Sequence, residues 1–438
     1  MDFKKLSRNL FFSFLFLLPS QTVLLLREPF VNGEKWQYGT IGVYLTDVFV
    51  VGALVFVVFG WLKKHRVFGI KYLVSGITYG EIHNTKYKIQ DTALILLVLW
   101  SGLSIFWVQD AVLAGYFFVK LLLGAGVFFL VRSLDDVDMK TAVKVLLAAA
   151  VLQSMLAVGQ FLYQSSPASA LLGMSTHESW WAGTSVLKLE TERFLRAYGS
   201  FPHPNMLGGF LAAVFVLGIS YHISRIRNRE SWFSFIICYS SFAILLLGLI
   251  LTFSRAAWLG AAMGIVAYCV SCIRYHVWGK QRARILGVLA LALFMFVFVL
   301  RDQIFPRFDG ATITREGSVS ERIVSLADAK TLIAAHPIIG VGAGNFTKVV
   351  MENEPTRPVW SVQPAHNVFA LVFAELGVIG LILFVGFLVS VFRSRIFSQK
   401  SAILLILLPS LLLDHWFWSS HFGLLFFFLL AGFVARKY

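Results

Sequence analysis

A histidine stands directly before a long apolar run in Pro364-Ala365-His366-Asn367, at the end of a polar segment. Imidazole titrates near neutrality, so it can take a proton from a hydroxyl or hold that hydroxyl in line. Three arginines, Arg196, Arg255 and Arg322, sit in other polar breaks between apolar runs. Guanidinium keeps its charge and presents a planar fork that fits phosphate oxygens. A neutral base among fixed cations suits displacement of an anionic leaving group, such as a lipid pyrophosphate, by a hydroxyl. In comparable oxyanion sites, losing one stabilising donor costs ~3–4 kcal/mol. Each residue also has a plainer reading. Arg255 can snorkel to headgroups at a membrane boundary, Arg196 can be solvated, and Arg322 can decorate a helix beside Glu321. His366 can cap the helix that follows. His203, between two prolines, reads as a turn residue with a supporting role, and Asn205 and Asn367 as residues that hold backbone at helix starts.

The elements that must position these groups are membrane helices. The chain has 438 residues, 58% hydrophobic and 14% charged, too apolar for a soluble domain of that length. Runs of about 18 or more apolar residues recur, each long enough to cross a hydrocarbon core of ~30 Å. The reading is an all-α polytopic membrane protein of one transmembrane domain, residues 1–438, with about twelve spans. They fall near 9–26, 41–62, 92–109, 111–131, 145–163, 205–223, 232–252, 256–273, 285–300, 368–391, 401–413 and 415–434. Basic clusters at 4–8, 63–66, 225–229, 274–284, 393–400 and 436–437 then share one side. Excess Lys and Arg mark cytoplasmic loops, so both termini are expected in the cytoplasm. The net charge of +15 is on this reading a topology signal, and no nucleic acid is expected as partner. The first apolar run lacks a small-x-small cleavage site and is expected to be retained.

Two long outer connections depart from the pattern, 164–204 and 301–367. Connections of this length are commonly functional. Within the second, 319–335 has helical spacing and should end at His336-Pro337, since the residue before proline disfavours helix. The glycine-rich run Gly340 to Asn345 lacks the strand-before, helix-after setting of a nucleotide loop. It reads as close backbone approach to another loop or to a phosphate. Lys120 and Asp47 are ionisable groups within spans, which are costly and often functional. They pair with each other, or Lys120 faces an opening through which phosphates enter. Asp414, beside His415, is an interfacial anchor or a loop partner. Cys269 and Cys272 lack a second ligand pair and read as small helix residues; no metal or cofactor is expected. The outer carboxylates Glu190, Glu192, Asp309, Glu316 and Glu321 form no evident glycosidase pair.

Arg196-Ala-Tyr-Gly-Ser-Phe-Pro-His-Pro-Asn205 resembles the first outer-loop motif of the O-antigen ligase and polymerase family. Thr252-Phe-Ser-Arg255 resembles its short outer hairpin, and Arg322 with the run 336–346 its second-loop motif. His366-Asn367, with Glu375-Leu-Gly377 and Gly380 downstream, completes the order. The resemblance implies a glycosyltransferase of the multi-span, lipid-linked-donor (GT-C-like) type in the cytoplasmic (inner) membrane. Such an enzyme transfers a glycan from undecaprenyl pyrophosphate to a lipid, glycan or protein acceptor, at an extracytoplasmic (periplasmic) site, without metal. It places Arg196 and Arg322 on the donor pyrophosphate and His366 at the catalytic position, and Arg255, on the same outer side, is expected to join the two arginines on the donor. Lys120, His203, Asn205 and Asn367 are supporting candidates. Polymerases carry paired Arg-x10-Gly loops. Here Arg196 meets Gly208 one residue late and Arg322 meets no glycine, which sets the chain nearer to ligase than to repeat-unit polymerase. A flippase or other transporter is the alternative of another class. It would place paired broken helices and charges at the midplane.

Overall fold

A computed structural model describes residues 2–65, 85–189, 192–222, 232–275, 279–308, 318–393 and 401–436. The long helices are α1 Phe3–Leu17, α2 Leu45–His65, α3 Thr85–Leu103, α4 Ala111–Ser133, α5 Asp136–Tyr163, α6 Pro204–His222, α7 Trp232–Leu251, α8 Arg255–Arg274 and α9 Lys280–Val299. After them come α10 Ser318–Ala335, α11 Phe346–Asn353, α12 Val368–Arg393, α13 Ser401–Leu413, the single turn α14 Trp416–Ser419 and α15 His421–Ala435. Among the described residues seven helices are long and apolar enough to cross a membrane. An eighth forms if Leu286–Val299 and Arg301–Phe308, bent by 77°, count as one span. Tyr239–Leu251, Ala402–Leu413 and His421–Ala435 are apolar but shorter. The protein is thus an α-helical polytopic membrane protein.

The expected span 9–26 is helical only to Leu17. Pro19 follows the helix and cannot continue it, and Val23–Arg27 becomes strand β1, paired antiparallel with β4 (Ile41–Tyr44). Between them β2 (Phe30–Val31) and β3 (Glu34–Lys35) form a small hairpin. The predicted helix 319–335 is found as α10 and stops before His336 and Pro337.

Helix packing sorts the connections by end. At one end, Thr22 Oγ1 bonds Leu171 O at 2.5 Å and Ser200 Oγ bonds Pro19 O at 2.8 Å. There too Trp36 Nε1 bonds Thr347 Oγ1 at 3.1 Å and Asn345 Oδ1 accepts from Asp110 N at 2.9 Å. The first and second long connections, the N-terminal hairpins and the 104–110 turn therefore share one end of the bundle. At the other end, Arg8 pairs with Asp138 at 3.1 Å and Arg436 with Asp136 at 2.7 Å. Of the basic clusters that oriented the topology, Arg66, Arg225, Arg227, Arg229, Arg395, Lys400 and Lys437 lie outside the described residues. So do Glu190, Asp309 and Glu316.

The run expected as one span at 368–391 is two helices joined at Gly377, whose φ of 67° and ψ of −172° are non-helical. The Phe369 and Phe384 rings lie 5.9 Å apart, whereas fifteen residues of straight helix rise about 22 Å. The two limbs are folded toward each other. Into the break comes the glycine-rich loop: Val341 N bonds Ala374 O at 2.9 Å, Gly342 N bonds Glu375 O at 2.7 Å and Val378 N bonds Pro337 O at 2.9 Å. A Cβ at Gly377 would lie 2.0 Å from Ile338 O, and one at Gly340 2.3 Å from Glu375 O. The glycines serve approach to backbone of another element, which decides that alternative. Glu375 receives Trp418 Nε1 at 2.9 Å and the amides of Gly344 and Phe346. Irregular backbone inside a membrane protein is tolerated where such internal partners satisfy it.

Candidate active site

The connection between α13 and α14 carries Asp414 and His415, and the second long connection ends on His366 beside them. Four connections meet there because each terminates a helix at the same end of the bundle. Arg196 Nη2 donates to Asn205 Oδ1 at 2.7 Å, and Asn205 Nδ2 donates to Asp414 Oδ2 at 2.8 Å. Asp414 Oδ1 accepts His415 N at 2.8 Å and faces His366 Nδ1 at 3.7 Å. A hydrogen-bonded chain runs from the guanidinium to Asp414, and the imidazole stands beyond it across a gap longer than a hydrogen bond. Arg196 is further fixed by Nε to Thr252 O at 2.8 Å, so the first loop and the short hairpin are stitched together.

His366 Nε2 contacts Gln363 Oε1 at 3.1 Å, and its backbone N–H meets Ser325 Oγ at 3.3 Å. The carboxylate favours the proton on Nδ1, leaving Nε2 as the lone-pair atom. The Gln363 amide can present either end to it by a half-turn. The His366 and His415 rings lie edge-to-face at 4.8 Å, and His415 Nδ1 contacts Ser419 Oγ at 2.6 Å. Burial by itself would raise the Asp414 pKa. The His366 ring facing it at 3.7 Å, with the fields of His415 and His203, instead holds it well below the ordinary carboxylate range. Burial pushes His415 down to about 4, with His366 adding to the effect. Burial and then Arg196 push His203 down to about 3. His203 and His415 are therefore neutral at physiological pH while Asp414 is ionised.

The other candidates separate into near and remote. Arg322 reaches Leu413 O at 3.1 Å, one residue from Asp414, and its own carbonyl accepts Ser325 Oγ at 3.2 Å. Asn367 Nδ2 bonds Leu412 O at 3.1 Å while its Oδ1 accepts Ala370 N at 3.0 Å, capping α12. His203 Nδ1 accepts Asn205 N at 3.1 Å and Nε2 meets Ser185 Oγ at 3.1 Å, which is the turn role expected of it. Arg255 turns to the bent α9 extension, with Nη1 on Arg307 O at 3.1 Å, while Arg307 Nη2 returns to Phe253 O at 2.9 Å. It shares the end of the bundle but no direct contact joins it to His366 among the described residues. Lys120 pairs with Asp47, buried with it at 7% and 8% side-chain exposure. Its ammonium lies over Tyr44 at 4.9 Å and Tyr116 at 5.1 Å. That is the pairing alternative.

Asp414 and His415 were visible in the sequence only as an unassigned polar pair, and Arg307 not at all. The one available signal was a carboxylate at a helix end on the predicted outer side. His366, Asp414 and His415 offer three ligand atoms within 4.8 Å of one another. Both Asp414 oxygens are already hydrogen-bonded and the Arg196 charge is wired into the same network. The cluster suits proton handling next to an anion better than cation capture.

The α-helical membrane protein thus carries a histidine–carboxylate–arginine cluster at one end. Residues 240–385 match the family described as O-Antigen ligase, so this stretch of the chain is similar to that family. The matched stretch includes Arg255, Arg322 and His366 but neither Arg196 nor Asp414. No curated protein matches the sequence.

Proposed function

We propose that the protein transfers a glycan from undecaprenyl pyrophosphate to an acceptor hydroxyl, such as that of lipid A–core, at the extracytoplasmic face of the cytoplasmic membrane. The observation that carries this reading is the hydrogen-bonded chain from Arg196 through Asn205 to Asp414, whose other carboxylate oxygen faces His366 Nδ1 at 3.7 Å. The acceptor oxygen forms a bond to the anomeric carbon as the bond from that carbon to the phosphate oxygen breaks. The hydroxyl proton passes to His366 Nε2, and the electron pair of the broken bond leaves with the lipid pyrophosphate.

Asp414 stabilises the imidazolium that forms and orients the ring, as a carboxylate does behind a general base. Arg196 and Arg322 meet the charge that develops on the diphosphate, and the Arg255–Arg307 pair extends the cationic border along the hairpin. Because Asp414 is bonded to the Arg196–Asn205 pair and faces His366, base and cation are placed by the same loops. Membrane lipids supply the carrier's surroundings.

The test is reconstitution of purified protein with polyprenyl-pyrophosphate glycan and candidate acceptors, followed by mass spectrometry. A ligase moves whole chains onto the acceptor, whereas a polymerase lengthens the lipid-linked pool. Protein glycosylation or simple translocation would each leave a different product. No covalent product with any acceptor would sink the proposal.

A further inference from the structure

The small 3-10 turn Gln37–Gly39, outside every motif, delivers a side chain to this site. Tyr38 lies with its ring edge-on to His415, centroids 5.9 Å apart. Its mount is firm. Trp36 is buried at 2% exposure and donates Nε1 to Thr347 Oγ1, Trp36 N bonds Pro29 O at 2.9 Å, and Thr40 Oγ1 reaches Trp36 O at 3.4 Å. Nearby, Glu34 Oε2 accepts Val359 N at 2.9 Å and Asn32 Nδ2 donates to Pro355 O at 3.1 Å. The N-terminal hairpin is thus clamped to the second long connection on the flank of the site.

Two hydrogen-bonding atoms on this flank have no protein partner among the described residues: Tyr38 Oη, and His415 Nε2, whose other nitrogen is engaged by Ser419. The surrounding charge is negative. Asp414 and Glu321 both act on the Tyr38 phenol, and after burial they push its ionisation further up, so the phenol keeps its proton. Arg196 meets Asp414 through Asn205, on the other carboxylate oxygen from the one that faces His366. An anionic diphosphate is repelled where a neutral, hydroxyl-bearing ring is accepted.

We infer that Tyr38, His415 and Glu321 form the acceptor-sugar subsite, binding hydroxyls of a neutral pyranose beside His366. Tyr38 donates from its phenol, His415 Nε2 and the Glu321 carboxylate accept, and the aromatic edge of Tyr38 offers an apolar face to the sugar. The inference rests on the transfer reaction proposed above, and the N-terminal hairpin becomes the element that selects the acceptor.

The experiment is steady-state transfer by the reconstituted full chain, varying a soluble core-oligosaccharide acceptor and then the lipid-pyrophosphate donor. Tyr38→Phe keeps the ring and its packing on His415 and removes one hydrogen bond. It should raise the acceptor KM about 10-fold and leave the donor KM unchanged. Glu321→Gln, at an exposed position in the first turn of α10, should raise the acceptor KM about 3-fold and serves if Tyr38→Phe does not accumulate. A rise in donor KM instead, or unchanged constants in both variants, would overturn the subsite. Wild-type protein that transfers nothing would overturn the underlying reaction, a separate result from failure of the variants in an active enzyme.

Discussion

At the scale of residues, Asp414 is the hinge of the account, because its carboxylate faces the base at 3.7 Å and accepts from the Asn205 that leads to the cation. Asp414→Asn keeps the shape and removes the charge, and should lower the transfer rate about 10²- to 10⁴-fold. Initial rates at saturating donor check this, with the circular dichroism of the purified variant reporting the fold. A pH dependence follows from His203 and His415, whose folded pKa values lie near 3 and 4 against about 6.5 unfolded. The unfolded chain binds these protons more readily, so their stabilisation is full above pH ~6.5 and is lost as pH falls toward the folded values. The melting temperature in detergent should therefore drop between pH ~7 and ~5. In His203→Gln that drop should be shallower; an unchanged slope would remove His203 as a contributor. His366 and the arginines were legible because their residue types stand out in apolar sequence. Asp414 was not, since a lone carboxylate at a helix end has no partner until the chain folds. Arg255 was placed on the right end, but its guanidinium reaches across to the Arg307 carbonyl, a contact that spacing cannot reveal.

At the scale of elements, the broken α12 carries His366 and Asn367 on the lead-in to its first limb. The loop 336–346 inserted at Gly377 sets the angle of that limb. Gly377→Ala combines a positive φ with a carbonyl 2.0 Å from the new Cβ. It should cost more than about 2 kcal/mol. A lower melting temperature together with lost transfer is expected; an unshifted transition would show that the break relaxes freely. Apolar length identified 368–391 as a helix, yet hydropathy has no means of marking a fold-back. Only the glycines at 340 and 377 carried the signal, and they pointed equally well to a ligand. The same limit explains α1: Pro19 ends it, but an apolar run through Leu26 reads as continuous hydrocarbon-compatible sequence.

At the scale of the molecule, alternating connections gather at one end, and the catalytic proposal requires that end to face away from the cytoplasm. Basic clusters imply this orientation in the sequence, because loop charge and crossing number constrain each other. The number of crossings was less legible, since short apolar helices and bent pairs satisfy hydropathy without a defined depth. Cysteine reporters replacing Trp360, 74% exposed near the site, and Val137, 67% exposed at the opposite end, separate the faces. With the three native cysteines replaced, an impermeant maleimide should label position 360 in intact cells and position 137 only after permeabilisation. The reverse pattern would invert the topology. The most direct trial of the central claim is mass spectrometry of acceptor after incubation in proteoliposomes with lipid-pyrophosphate glycan, using wild type and His366→Ala. The account predicts glycan-extended acceptor from the wild type and at least about 100-fold less from His366→Ala. Equal yields from the two proteins would contradict it.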